Sequence, residues 1–149
     1  MKNTLFLFAV LGMTCVSLAQ ESPSIGIRGG LANGLALKWF LSGDTEAVEG
    51  IVTVRGSGSN STLAITALYE LHNYDFASEA LRWYYGAGPH LAMSSKETDI
   101  GIDGIIGIEY RINEGPISLS ADWKPSLAII GAGGLVGDEG AISLRYRLQ

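Results

Sequence analysis

The chain has one cysteine, Cys15, and it stands in an N-terminal stretch that reads as a removable leader. The mature protein is therefore expected to have neither disulfides nor thiol chemistry, so its stability must come from packing and hydrogen bonding. Histidine is almost as scarce. His72 and His90 are the only two, with no HxxxH spacing between them, which predicts no metal site and no cofactor. Sustained apolar periodicity of 3.6 residues is absent, so helices are not expected. The longest apolar run, residues 5–16, is shorter than the roughly 20 residues a spanning helix needs, which argues against a helical membrane protein. Basic residues number 10 against 15 acidic ones, a balance that argues against nucleic acid as a partner.

The leader itself has three parts. Lys2 supplies a positive start, residues 5–16 an apolar core, and Ser17-Leu18-Ala19 a small-x-small cleavage site before Gln20. This predicts a secretory signal peptide over 1–19 and a single mature domain over 20–149. Gly12, Met13 and Thr14 do not give Cys15 the setting of a lipoprotein site.

What is abundant is glycine, at 20 residues, and alternation. Period-two patterning recurs from Ile25 to Leu148 in eight segments: 24–31, 34–41, 48–56, 61–72, 81–93, 99–113, 116–124 and 140–148. Turn-forming stretches separate them: Ala32-Asn33, SGDTEA, GSGSN, NYDFASEA, SSKETD, NEG and a long, glycine-rich PSLAIIGAGGLVGDE. The predicted fold is all-β, an eight-stranded antiparallel up-and-down transmembrane β-barrel. If 24–41 were one bent strand the count would be seven, and simple closure would fail.

The stretch IGIDGIIGIEYRIN at 100–113 shows why a membrane is invoked. One parity holds Ile100, Ile102, Ile106, Ile108, Tyr110 and Ile112; the other holds Asp103, Glu109 and Arg111 among glycines. The same division recurs in every segment, and no formal charge interrupts the apolar parity. Lipid contact demands such a band, because a charge at mid-bilayer costs roughly 2 to 4 kcal/mol. The opposite parity holds Arg28, Lys38, Glu49, Arg55, Glu70, Arg82, Asp103, Glu109, Arg111, Asp122, Lys124, Arg145 and Arg147. These are expected to form a charge network plugging a narrow lumen, with glycines such as Gly26, Gly86, Gly101 and Gly107 making room for the long side chains. Trp39, Trp83, Tyr85, Tyr110, Trp123 and Tyr146, with Tyr84, lie mostly toward strand ends and predict an aromatic girdle at the headgroups.

LALKWFL, TALYELH, WYYGAGPHL, IGIDGIIGIEYRI, LSADWKPS and AISLRYRL together resemble the small outer-membrane β-barrel proteins of Bacteroidota-type bacteria, a group similar in architecture to the OmpX and OmpA-transmembrane barrels. The resemblance covers the mature chain. It implies an outer-membrane location, contact with outer-membrane lipids, insertion by the barrel-assembly machinery and a monomeric state. The chain finishes Tyr146-Arg147-Leu148-Gln149, whereas such strands often finish with an aromatic residue.

Few residues suggest catalysis. His90 with Ser94 or Ser95, and His72 with Glu70, are the combinations that could imitate a lipid hydrolase, and neither follows a nucleophile–base motif. GAGPH and IGAGGLVG lack the GK[ST] ending of a phosphate loop. Asp44, Glu46, Glu49, Asp75 and Glu79 read as solvated acidic turns without calcium-ligand spacing. The expected role is structural or surface-interacting and non-catalytic, with the PSLAIIGAGGLVGDE loop as the surface best placed to meet a partner. The competing readings are a soluble periplasmic barrel for a small apolar ligand and an outer-membrane lipid-modifying hydrolase.

Overall fold

The computed structural model describes residues 22–74, 78, 80–112, 115–131, 134–137 and 139–148. The leader over 1–19, and Asp75 and Glu79 of the acidic turns, lie outside them. Ten strands form one sheet: β1 (Ser24–Gly30), β2 (Asn33–Ser42), β3 (Glu46–Arg55), β4 (Thr62–Asn73), β5 (Leu81–Ser94), β6 (Thr98–Arg111), β7 (Ile117–Trp123), β8 (Ser126–Ile130), β9 (Leu135–Val136) and β10 (Gly140–Arg147). Every pairing is antiparallel, and the β5–β6 pairing closes the sheet on itself.

Ten strands make eight staves. β6 pairs with β7 over Ile106–Arg111 and with β8 over Ile100–Asp103, so β7 and β8 are two lengths of one stave. The interruption falls at Lys124-Pro125, where proline has no N–H to give the ladder. The chain bridges the gap through the Pro125 carbonyl, which accepts from Gly104 N–H at 2.8 Å. β9 and β10 are two lengths of the eighth stave, and just before β10 Lys124 N–H donates to Glu139 O at 2.8 Å. The architecture is thus a closed, eight-stranded antiparallel barrel.

Two readings of the sequence are decided here. Residues 24–41 form two strands, β1 and β2, with Ser24↔Lys38 to Arg28↔Gly34 in register. The stretch PSLAIIGAGGLVGDE is not simply a loop: Ser126–Ile130 and Leu135–Val136 are strands that carry the β6 wall beyond the top of β7. Its glycine content hid an alternation of only a few residues.

The barrel has a loop end, where β1–β2, β3–β4, β5–β6 and β8–β9 connect, and a turn end with the β2–β3, β4–β5 and β6–β7 connections and both ends of the described chain. Gly43 turns β2 into β3 with φ of 55°, a left-handed conformation that glycine adopts without Cβ strain. Among the described residues no helix is long and apolar enough to cross a membrane.

Candidate functional site in the barrel interior

The pleat sends alternate side chains inward and outward, and the composition of the two faces reverses that of a water-soluble barrel. On β6, Ile106 and Ile108 are 48% and 49% exposed, whereas inward Asp103 and Glu109 are buried. Lys38, Glu49 and Glu70 are 0% exposed. The inward charges form four linked groups along the barrel.

Nearest the loop end, Asp103 is a hub. Lys124 Nζ lies 2.7 Å from its Oδ2, Thr66 Oγ1 donates to the same oxygen at 2.8 Å, His90 Nδ1 is 2.6 Å from Oδ1, and Ser126 donates to Oδ1 as well. Lys124 also reaches Glu139 at 3.2 Å. The second group is a fork: Arg28 holds both oxygens of Asp122 at 2.6 and 3.0 Å, and Tyr84 Oη donates to Asp122 Oδ2 at 3.0 Å. In the third, Arg145 donates to Glu49 Oε1 at 2.6 and 3.2 Å and to Ser120, while Lys38 stands 3.4 Å from Glu49 and 2.7 Å from Glu70. His72 Nε2 lies 3.1 Å from the same Glu70 oxygen. Toward the turn end Arg82 meets Glu109 at 3.0 Å and Tyr74 Oη at 3.0 Å, and Arg111 forks onto Asp44 at 2.6 and 2.7 Å.

These contacts offset the desolvation that makes a lone buried charge prohibitive. Glycine supplies the room. A Cβ on Gly26 would sit 2.6 Å from Arg145 Cγ, and one on Gly107 would meet Tyr84 Cζ and Asp122 Cβ at 2.7 Å. Of the thirteen charges read as lumen-facing, ten are buried; Arg55, Arg111 and Arg147 face inward nearer the ends and are partly exposed.

Several interior residues escaped the sequence reading. Asp44, read as a solvated turn residue, is the partner of Arg111; Glu49, which the sequence places both in an acidic turn and in the lumen network, is fully buried, as the lumen reading expects. Tyr84, grouped with the rim aromatics, points inward and stacks on His72 at 5.0 Å, with Phe40 edge-on to His72 at 5.2 Å. Lys38 lies 4.3 Å over the Tyr84 ring and Arg82 4.7 Å over Phe40. Ala36, Ile51, Leu68 and Ile105 join Tyr84 in a small apolar cluster inside. Strand parity places all of them except Asp44, which sits in the turn between β2 and β3.

The outward aromatics are distributed unevenly. Trp39, Trp83, Tyr85, Tyr110 and Tyr146 all lie toward the turn end of their strands, joined by Tyr69. Trp123 stands apart at the top of β7, its Nε1 donating to Gly137 O at 2.6 Å. Toward the loop end the large exposed apolar side chains are aliphatic or Met93.

Of the candidate catalytic combinations, His72 meets Glu70 inside the lumen with Lys38 on the same oxygen, whereas His90 and Ser94 do not come together. His90 contacts Asp103, while Ser94 is exposed at the loop end and its Oγ exchanges hydrogen bonds with Glu97. Among the described residues no cluster of three or more His, Cys, Asp or Glu side chains is placed to hold a metal ion.

An eight-stave barrel with ions inside and aliphatics outside is the outer-membrane type of β-barrel. A solved structure with this fold is the N-terminal β-barrel domain of OprF from Pseudomonas aeruginosa, with a TM-score of 0.69 over 87% of this chain and 99% of that one. Sequence identity is 14%, so the likeness is one of fold. No family model and no curated protein matches the chain.

Proposed function

We propose that this protein is an exported, integral outer-membrane barrel that works without catalysis, as a membrane-spanning scaffold whose lumen is closed by its own ions. The single observation that carries this is the inverted burial: isoleucines half-exposed around the staves, lysine and glutamate wholly enclosed. Soluble monomers rarely leave a contiguous apolar patch above a few hundred Å² facing water, and here the patch is the entire outer wall. Acyl chains are the environment that suits it. Export would proceed through the leader at 1–19, insertion through the barrel-assembly machinery, and residues 20–149 would form a monomer surrounded by outer-membrane lipid. The turn-end aromatics would then seat at one headgroup layer.

Closure of the lumen is supported by packing and pairing. Arg82, Arg145, Lys38, Lys124 and Tyr84 fill an eight-stave bore, which is wide enough only for side chains. Any role toward a partner would fall to the loop end. A barrel for an apolar ligand would need the aliphatic face turned inward, and the hydrolase reading would need a serine beside a histidine. Membrane fractionation with heat-modifiable migration on gels tests the proposal, combined with conductance across a planar bilayer. The expected result is outer-membrane recovery, a folded band that shifts on boiling, and no sustained conductance. Recovery in the soluble periplasm would overturn the location; a steady open current would overturn the closed lumen.

A further inference from the structure

A cavity of about 250 Å³ opens at the turn end. Ser24, Phe40, Arg111 and Arg147 line it from the interior, and Ile112 and Ile117 line it from the outer face. It therefore straddles the rim between the lumen and the apolar wall. Its charge is unusual for this molecule. The chain carries a net charge of −5, yet two arginines line the cavity and, among the described residues, no aspartate or glutamate does.

Those two arginines are in different states. Arg111 is forked onto Asp44, leaving its Nε buried without a hydrogen-bond partner. Arg147 lines the cavity from the last position of β10, held there by its backbone N–H, which donates to Pro116 O at 2.7 Å. Its guanidinium has no ion-pair partner among the described residues. A planar fork of N–H donors left open beside a second guanidinium is a geometry that recognises an oxyanion, and phosphate matches it. Beside that cationic side lie the exposed Ile112 and Ile117, paired across the β6–β7 connection by Ile112 N–H to Ile117 O at 3.1 Å. Outward Tyr110 and Tyr146 flank them.

We propose that this cleft binds a phosphate group, with Arg147 and Arg111 on the oxyanion and Ile112 and Ile117 against an attached acyl chain, so that the bound species is a phospholipid headgroup. This source rests on the membrane reading above; the phosphate chemistry does not. Both cationic and apolar walls are needed for a lipid, whereas a free phosphate would use the first alone.

The test uses the full chain folded in phosphate-free, non-ionic detergent micelles, with the arginine Nε–H resonances followed by 15N NMR. Dihexanoyl phosphatidylglycerol, inorganic phosphate and uncharged dihexanoylglycerol are titrated at constant ionic strength. Saturable shifts at Arg147 and Arg111 are expected with the phospholipid at a concentration about tenfold lower than with inorganic phosphate, and none with the uncharged lipid. Arg147→Gln should raise the phospholipid half-saturation by about tenfold, and Arg147→Lys, which keeps charge but loses the fork, by an intermediate factor. Heat-modifiable migration reports that each variant is folded. Equal half-saturation for inorganic phosphate and phospholipid would overturn the headgroup as source. No saturable shift with either anion, or an unchanged half-saturation in Arg147→Gln, would overturn the site. Because the assay runs in micelles, either failure is distinct from a failure of the fractionation experiment.

Discussion

Arg145 shows what a single interior side chain does in this barrel. It is enclosed between Glu49 and Ser120, and its aliphatic stem occupies the space that Gly26 leaves open. Replacing it with methionine keeps most of the volume but leaves Glu49 facing Lys38 alone, and Lys38 is already shared with Glu70. Breaking one side of a buried ion pair typically costs about 3–5 kcal/mol, whereas removing both charges together is often neutral. Arg145→Met is expected to lose stability of that order in urea titrations of the vesicle-inserted barrel. The double variant Arg145→Met, Glu49→Leu should recover most of the loss. The side of the strand on which Arg145 and Glu49 sit could be read from the sequence because alternation is local. Their partnership could not, since 96 residues separate them and only the closure of the sheet brings them together.

At the scale of elements, the seventh and eighth staves differ from the other six. β5 and β6 are each 14 residues long and continuously paired with one another from Leu81↔Tyr110 to Met93↔Thr98. Among the described residues β9 pairs through Ser126↔Val136 and Leu127↔Leu135, with Ala128 N–H donating to Gly134 O beside them, and β8 shifts register against β6 between Ile100 and Gly101. Few shared hydrogen bonds and an open edge lower the free energy of local opening. Amide exchange in vesicles should therefore be at least roughly tenfold faster at Ala128–Ile130, Leu135 and Val136 than at Ile102–Glu109. Uniform protection along all staves would show that the break at Pro125 has no energetic consequence. The same break explains why the sequence of this stretch reads as a loop. Proline and four glycines between 125 and 137 carry the composition of a connection, and the strands they flank are too short to show a period.

For the whole molecule, the legible quantity was the sign of the inside–outside division. Eight segments sharing one apolar parity called for a closed sheet, and closure with ions inside followed because each charged parity had to face the bore. The unread parts were those set by shear and stagger: the Asp103 hub, the Arg111–Asp44 fork at the rim and the meeting of Phe40, His72 and Tyr84. None of these partners is near in sequence except where strands turn. The confinement of most outward aromatics to the turn end was equally hidden, because strand direction alternates and a ring late in one strand lies level with a ring early in the next.

In the membrane reading proposed above, that one-sided ring of tryptophan and tyrosine would fix the vertical position of the barrel at a single surface. In a thin or thick bilayer, Trp39 and Trp83 should keep a constant depth below their own headgroups, and all the adjustment should appear at the opposite rim, where aliphatic side chains hold no preferred level. Depth-dependent fluorescence quenching across lipids of increasing chain length checks this, with a label at Met93 reporting the free rim. The barrel would ride like a float moored at its keel, its waterline drifting with the membrane it is placed in.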